Sequence, residues 1–440
     1  AARQLVRGGA TVRLLEARDR VGGRVLSRGL KSGAVVELGA QWIGPGQDHM
    51  AGLIRELGLT PFPQYCTGEK VLSIADKLST YKSEIPSLPL LGLLDLDRTI
   101  KKVEAMCQQV PLSDPTRAKK AREWDAITVE TWKNENVKTA GARALLDIAV
   151  QSIFSAEPAE LSLLHCLWVL HSGGGLMKLS TIDGGAQQTR LAEGFQTVAE
   201  RLAAELGPRL WLSAAVRAVA SDEHGVLVHS TRGPVRGKRL ILAVPPALAG
   251  RIEYTPALPT ARDQLTQRMP MGSVAKCVAV YDRPFWRERK FSGEALCDRG
   301  PVRIVFDDSP PPGHTSSHGA LVAFVLADGL RELRPRDGEA RRKAVLAELA
   351  RLFGPPAGEP LEFIEQDWGS EPWSRGCYFG IMPPGTLTRY GAALRAPCGP
   401  IHFAGTETAE RWMGYMDGAV ESGLRAAREV LPLLGLSGKG

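Results

Sequence analysis

Apolar and polar positions along the chain follow two periods, and the switches between them mark its elements. Residues 1–6 read as an amphipathic helix, Gly8 and Gly9 break it, and residues 11–15 read as a strand ending on Glu16. Arg20-Val-Gly-Gly-Arg24 predicts a tight turn between arginines. A second glycine-rich turn spans 37–47, after which Asp48 is expected to cap a helix running to Leu57. The proline-rich stretch 83–90 suggests a crossing between domains. From Leu94 to about Cys166 the pattern is mainly helical, with Asp95, Ser113 and Asp114 as expected caps.

Strand patterns return at 210–219, 226–230 and 238–244. The last holds a continuous apolar run stopped by Pro245-Pro246, as a buried parallel strand requires. Further strands are expected at 274–280 and 320–326, a helix at 339–352 closed by Gly354, a strand at 400–403 and a final helix over 414–431. Nucleotide-type elements thus sit at both ends and in the middle. This order predicts an α/β chain (α+β, two domains). A nucleotide-binding domain is assembled from 1–61, 192–265 and 371–434, interleaved with a substrate domain of mixed sheet plus helices from 62–191 and 266–370. Residues 435–440 form a tail.

Composition narrows the function classes. At 440 residues the chain exceeds one typical domain, and 44% hydrophobic with 23% charged residues suits a large globular core. The net charge of +7 is scattered in short clusters, such as 117–122 and 287–290, each interrupted by acids or alanines. Such clusters are solvated faces rather than a nucleic-acid site. The seven cysteines are far apart and form no Cys-x-x-Cys pair. That argues against a disulfide framework and a metal site, and points to a reducing, cytoplasmic setting. No apolar run approaches the ~20 residues needed to cross a bilayer.

Four places carry candidate chemistry. Glu16 ends an apolar strand, where an ionised carboxylate can accept both hydroxyls of a ribose, although an acid at a strand end is otherwise ordinary. Gly22 and Gly23 let backbone approach a phosphate, and Arg24 can pair with it. In Phe403-Ala-Gly-Thr-Glu-Thr408, Gly405 allows a close turn after a strand, and the helix beginning near Gly414 aims free N–H groups and its positive dipole end forward. Lys276 lies among Val274, Ala275, Cys277 and Val278, so it either faces solvent or points inward and needs a partner. Gly-x-Ser-x-Gly, His-Glu-x-x-His and Walker motifs are absent.

Leu15-Glu-Ala-Arg-Asp-Arg-Val-Gly-Gly-Arg24, and Phe403 to Thr408 with Gly414-Tyr-Met-Asp-Gly-Ala-Val420, resemble the two flavin-binding signatures of the flavin-containing amine oxidases. Within that group the chain is most similar to the monoamine oxidases. The resemblance covers nearly all of the chain and is strongest at 15–47, 268–286 and 367–430. It implies a Rossmann-like FAD-binding domain. Glu16 would hold the adenosine ribose, with Arg18, Gly23 and Arg24 nearby. Gly39, Ala40, Gln41 and Trp42 would line the flavin, Val216 would lie against the adenine, and Trp368 would pack near the ring. Gly405, Thr406, Glu407, Tyr415 and Met416 belong to the second signature. Lys276 matches the lysine that holds a water against flavin N5, serving oxygen activation and imine hydrolysis.

Ser374-Arg-Gly-Cys-Tyr378 matches the segment whose cysteine is bonded to the flavin 8α carbon, so a thioether through Cys377 is favoured over a plain buried thiol. Arg375 departs from the family's glycine there. Tyr378 and Tyr415 match two tyrosines that cage an amine in front of the flavin. Gln187 matches a cavity position.

The implied activity is oxidative deamination of a small-molecule amine to an aldehyde, with hydride equivalents passing to the flavin and O2 reduced to H2O2. An L-amino-acid oxidase would add an arginine for the carboxylate, and a polyamine oxidase would add acids for a distal ammonium. A truncated flavin fold without catalysis is the third alternative. No nucleic-acid partner and no membrane span are expected, and the expected assemblies include a homodimer. A ribose-binding acid lies ~20 residues beyond the glycine turn, whereas 15 residues precede Glu16. The first strand and its Gly-x-Gly-x-x-Gly turn are therefore expected before Ala1.

Overall fold

The computed structural model describes residues 1–436, so residues 437–440 of the expected tail lie outside the described residues. Seven strands build the largest sheet, in the order Glu362–Asp367, Val274–Tyr281, Gly319–Leu326, Val302–Asp307, Phe291–Cys297, Glu69–Ile74 and Lys77–Tyr81. Neighbours run antiparallel except Phe291–Cys297, which lies parallel to Glu69–Ile74.

Val274–Tyr281 and Gly319–Leu326 are buried at every position because both faces of the sheet are covered. Side chains alternate along a strand. Ala275, Cys277, Ala279 and Tyr281 pack with Val345 and Leu349 of the helix Gly338–Phe353. Val274, Val278 and Val280 share the opposite core with Phe306, Phe324, Trp368 and Cys377. Lys276 belongs to this second set by parity. The strands Phe291–Cys297 and Val302–Asp307 escape a sequence reading because Ser292, Glu294 and Asp307 are polar yet buried, which hides the twofold period.

Short parallel strands make the other half. Leu14–Leu15 pairs with Leu210–Trp211, and Leu240–Leu242 pairs with Ile401–Phe403. The strand expected over 11–15 shrinks to its last two residues, since Thr11, Val12 and Arg13 border a cavity instead of a neighbouring strand. The strand expected over 238–244 is parallel, but Leu240 and Ile241 are only half-buried because they border the same cavity. The strand expected over 210–219 breaks in two. Between Leu210–Trp211 and Val216–Asp222, Ser213 takes a φ of +53°, and Ser213 and Ala214 donate their N–H groups to the carbonyls of Arg18 and Glu16 at 2.7 and 2.8 Å. Val216–Asp222 then joins a four-stranded sheet with Gly233–Gly237, Gly225–Ser230 and Glu253–Thr255.

The helices Leu90–Cys107, Val129–Asn136, Ala140–Phe154 and Leu163–Ser172 bury a core that includes Trp124, Trp132 and Trp168. Thr128, Thr139 and Ser162 cap the last three with their hydroxyl oxygens. Of the three caps expected here, only Asp114 acts as one, accepting from the Thr116 N–H at a single 3-10 turn. Ser113 offers its carbonyl to Arg395 instead. Asp95 falls inside a helix that begins at Leu90, and its carboxylate accepts from the N–H groups of Lys138 and Thr139 at 2.8 and 2.7 Å. Asp48 likewise opens the helix Asp48–Glu56 from within, with Gln47 at the cap position. The C-terminal helix Met416–Leu433 packs Ala427, Val430 and Leu431 against Leu5 of the helix Ala2–Arg7. Among the described residues no helix is long and apolar enough to cross a membrane.

Candidate active site

One continuous cavity of about 2000 Å³ runs from the loop at Glu16 to the strand carrying Lys276. Every residue singled out by the sequence reading lines it except Glu407.

At one end, Glu16 follows Leu14–Leu15 directly and is held by the backbone bond from Ala214. Its carboxylate accepts from the Arg18 N–H at 2.9 Å and from Arg18 Nη1 at 3.4 Å. Arg18 Nη2 donates to Ser374 Oγ at 2.7 Å, while its buried Nε makes no hydrogen bond among the described residues and lies 3.7 Å from the Glu371 carboxylate. Val216 opens its strand on the same wall. Gly22 and Gly23 both take positive φ, +100° and +60°, so the turn before Arg24 is one that glycine favours.

Arg24 is engaged within the protein. Its Nη1 donates to Glu407 Oε1 and to the Tyr378 carbonyl, both at 2.7 Å. Glu407 is buried behind the cavity wall, so it orients Arg24, and Arg24 in turn holds the backbone beside Cys377. The opposing charge of Glu407 keeps the guanidinium above its ordinary value against the pull of burial.

At the other end, the loop 39–42 lies directly under residues 24–26. A Cβ on Gly39 would stand 2.4 Å from the Arg24 carbonyl oxygen, so no other residue fits. Lys276 Nζ donates to the Gly39 carbonyl at 2.8 Å and to Gln41 Oε1. It lies 5.8 and 5.2 Å from the ring centres of Trp42 and Phe324. Burial lowers the lysine below its ordinary value, and the carboxylates of Asp308 and Glu37 oppose that fall.

Trp368 is fully buried, with Nε1 donating to the Leu38 carbonyl at 2.9 Å. Cys377 is buried, which pushes its thiol up to about 12, with Arg24 the main opposing charge. Tyr378 packs its ring edge-on to Phe324 at 6.4 Å, and Tyr415 packs against Trp412 at 5.3 Å. Burial raises both phenols above their ordinary value. Gln187 donates to the Leu179 carbonyl at 3.0 Å and leaves Oε1 buried without a partner among the described residues. Gly405 takes a φ of +115°, and Thr406 Oγ1 donates to the Tyr415 carbonyl at 2.8 Å, placing the start of the helix Met416–Leu433 on the cavity. Among the described residues no cluster of His, Cys, Asp and Glu is arranged to hold a metal ion.

Three participants were not legible in the sequence. Glu37, Arg190 and Asp308 are buried beneath Lys276 and come from segments far apart in the chain. No local spacing announces them; the only signal is the paired acid Asp307-Asp308 at the end of an apolar strand.

A model of the family described as flavin containing amine oxidoreductase matches residues 1–431. The chain belongs to the flavin-containing amine oxidoreductases. It is 41% identical over 433 residues to the probable flavin-containing monoamine oxidase A of Dictyostelium discoideum, covering 98% of this chain and 94% of that protein. It is 37% identical over 447 residues to an L-amino acid dehydrogenase of Synechocystis, covering 99% of this chain and 92% of that one. Its fold is similar to the solved structure of wild-type putrescine oxidase bound to putrescine, with a TM-score of 0.94 at 35% identity, covering 98% of this chain and 96% of that one.

The protein is thus an FAD-dependent amine oxidase that deaminates amines oxidatively. The residues present fit that cofactor. Arg18, whose buried Nε makes no hydrogen bond among the described residues, and the N-terminus of the helix Met416–Leu433 suit an anionic dinucleotide. Trp42, Phe324 and Trp368 give the far end flat apolar walls.

Proposed function

We propose that this amine oxidase acts on small apolar monoamines, and that amine, O2 and water leave as aldehyde, ammonia and H2O2. The reading rests on the end of the cavity opposite Glu16. There, Leu145, Ile148, Ile153, Leu176 and Phe324 are apolar, and the charged residues are Lys276 and Glu84. Glu84 is half-exposed and shares the Lys70 ammonium at 3.5 Å. The second ammonium of a diamine would lose its hydration there without a free buried carboxylate in return. No arginine comes from these apolar segments, and Arg24, which borders the cavity beside Tyr378, is already paired with Glu407, so the carboxylate of an amino acid would find no free guanidinium in them.

Bound FAD would supply the two-electron oxidation of the amine, with O2 as the final electron acceptor. Glu16 holds the ribose with Arg18 and Gly23 beside it, and Val216 flanks the adenine. Gly39 to Trp42, Trp368, Gly405, Thr406 and Met416 hold the flavin, while Arg24 and Glu407 fix the backbone next to it. Tyr378 and Tyr415 guide the amine nitrogen between their rings, Gln187 borders the substrate, and Lys276 handles protons and water at the reacting atoms. Cys377 would anchor the cofactor as a thioether, and the charge of Arg24 opposes the burial that keeps its thiol protonated. Residues 1–61, 192–265 and 371–434 form the cofactor domain of this proposal, and 62–191 with 266–370 form the substrate domain. Seven free cysteines support a cytoplasmic setting, and a homodimer is the assembly proposed.

A panel of benzylamine, putrescine and L-phenylalanine, read by peroxide release, tests the substrate class. Benzylamine is expected to exceed both others in kcat/KM by at least about tenfold. A preference for putrescine or the amino acid overturns this reading.

A further inference from the structure

A lysine on a fully buried strand needs acceptors, and those of Lys276 come from one loop. Its Nζ donates to the Gly39 carbonyl at 2.8 Å and to Gln41 Oε1. An ammonium has three N–H groups, so one remains, and Lys276 borders the cavity. The neutral amine satisfies the same two acceptors with its two N–H groups and leaves a lone pair. Nζ therefore keeps its place in either charge state. Only the third position changes, from donor to acceptor.

This arrangement depends on which way the Gln41 amide points. Gln41 Nε2 donates to Asp308 Oδ1 at 2.9 Å. An ionised carboxylate only accepts, so reversing the amide breaks both of its contacts. Asp308 is fully buried and meets Arg190 Nη2 at 2.5 Å. The same guanidinium donates to the carbonyls of Ser309 at 2.8 Å and Asp308 at 3.2 Å. The Glu37 N–H reaches Asp308 Oδ2 at 3.3 Å. Glu37's own carboxylate is held by the Phe195 N–H at 2.7 Å and Ser27 Oγ at 2.8 Å.

The groups that face the lysine electrostatically are Asp308, Glu37, Arg190 and the Cys377 thiol. Its cross-strand neighbours, Phe324 and Gln366, are uncharged. Two buried cations thus face two buried carboxylates; burial raises both acids, Glu37 to about 7, and lowers the lysine.

We propose that Arg190, Asp308 and Gln41 form a buried positioning relay that fixes where Lys276 presents its third valence and holds that amine in its protonated form near neutral pH. The proposal rests on the reading of this end of the cavity as the amine-oxidising site. Arg190 and Asp308 lie behind the cavity wall and act through Gln41 and the lysine, which both border the cavity. The sign follows from charge: the Asp308 carboxylate favours the ammonium, so its neutral replacement lets the proton go at lower pH.

The test uses the holoenzyme. Reductive methylation of Lys276 by formaldehyde and cyanoborohydride, followed by peptide mass spectrometry across pH, reports the free amine directly. The kcat–pH profile with benzylamine is measured alongside. Asp308→Asn is expected to lower the methylation midpoint by about one pH unit, with the matching limb of the kcat profile moving the same way. Gln41→Met leaves all four charges in place and is expected to shift both in the same direction by a smaller step. Arg28→Ala, at an exposed pair with Glu362, serves as the control and leaves both unchanged. Should Asp308→Asn fail to fold, Gln41→Met decides alone. An unmoved methylation midpoint in folded, flavin-loaded variants overturns the relay. A shifted midpoint in an enzyme that no amine reduces supports the relay and overturns the functional reading instead.

Discussion

At the Glu16 end of the cavity, the partly exposed Glu16 carboxylate takes its contacts from Arg18, two residues on, which also reaches Ser374 and Glu371. At the Lys276 end they run between residues 39, 41, 190, 276 and 308, all inside the protein. A site built from neighbours keeps its shape when one side chain is lost, because backbone and water replace the missing partner. A site built from distant buried charges leaves an unpaired ion behind. The first end is therefore tolerant and the second exacting.

That contrast predicts a graded set of outcomes. The largest belongs to Arg24→Met, which strands the buried carboxylate of Glu407 and is expected to cost about 4 kcal/mol in urea unfolding. The double variant Arg24→Met/Glu407→Gln is expected to recover most of the loss; if the single change costs nothing measurable, the buried end is no more exacting than the open one. Next comes Gly39→Ala. Its added carbon meets the Arg24 carbonyl and the Leu26 nitrogen, both rigid backbone, and about 3 kcal/mol with reduced flavin content is expected. Glu16→Gln sharpens the comparison from the tolerant side. FAD affinity falls about tenfold while unfolding of the flavin-free chain stays unchanged. A loss of chain stability there would erase the distinction. The smallest effect has the opposite sign. Arg375 holds a φ of +55° on the surface, so Arg375→Gly is expected to raise the midpoint of thermal unfolding by the equivalent of about 0.5 kcal/mol.

The same contrast explains what the sequence could reveal. Leu15 to Arg24 and Phe403 to Thr408 are legible because a strand, a turn and a polar terminus follow one another within a few residues. The strands bearing Lys276 and Phe324 are legible because burial on both faces leaves unbroken apolar runs. Asp308 and Arg190 are illegible because nothing near them in the chain states that they meet. Phe291–Cys297 and Val302–Asp307 were hidden for a related reason: Glu294 and Asp307 are buried against Lys70 and Arg287, partners that the local pattern does not display. Asp95 reads as a cap because its helix starts earlier than its polarity suggests, and its real partners lie at 138 and 139.

The cavity passes between the two pairs of short parallel strands and on to the large sheet, bordered by Leu14, Leu240, Val430 and Lys276 alike. A cofactor that fills such a space stabilises the fold it binds, and the flavin-free chain is the less stable form. A shortage of riboflavin is therefore expected to lower the abundance of the polypeptide through proteolysis of that flavin-free form.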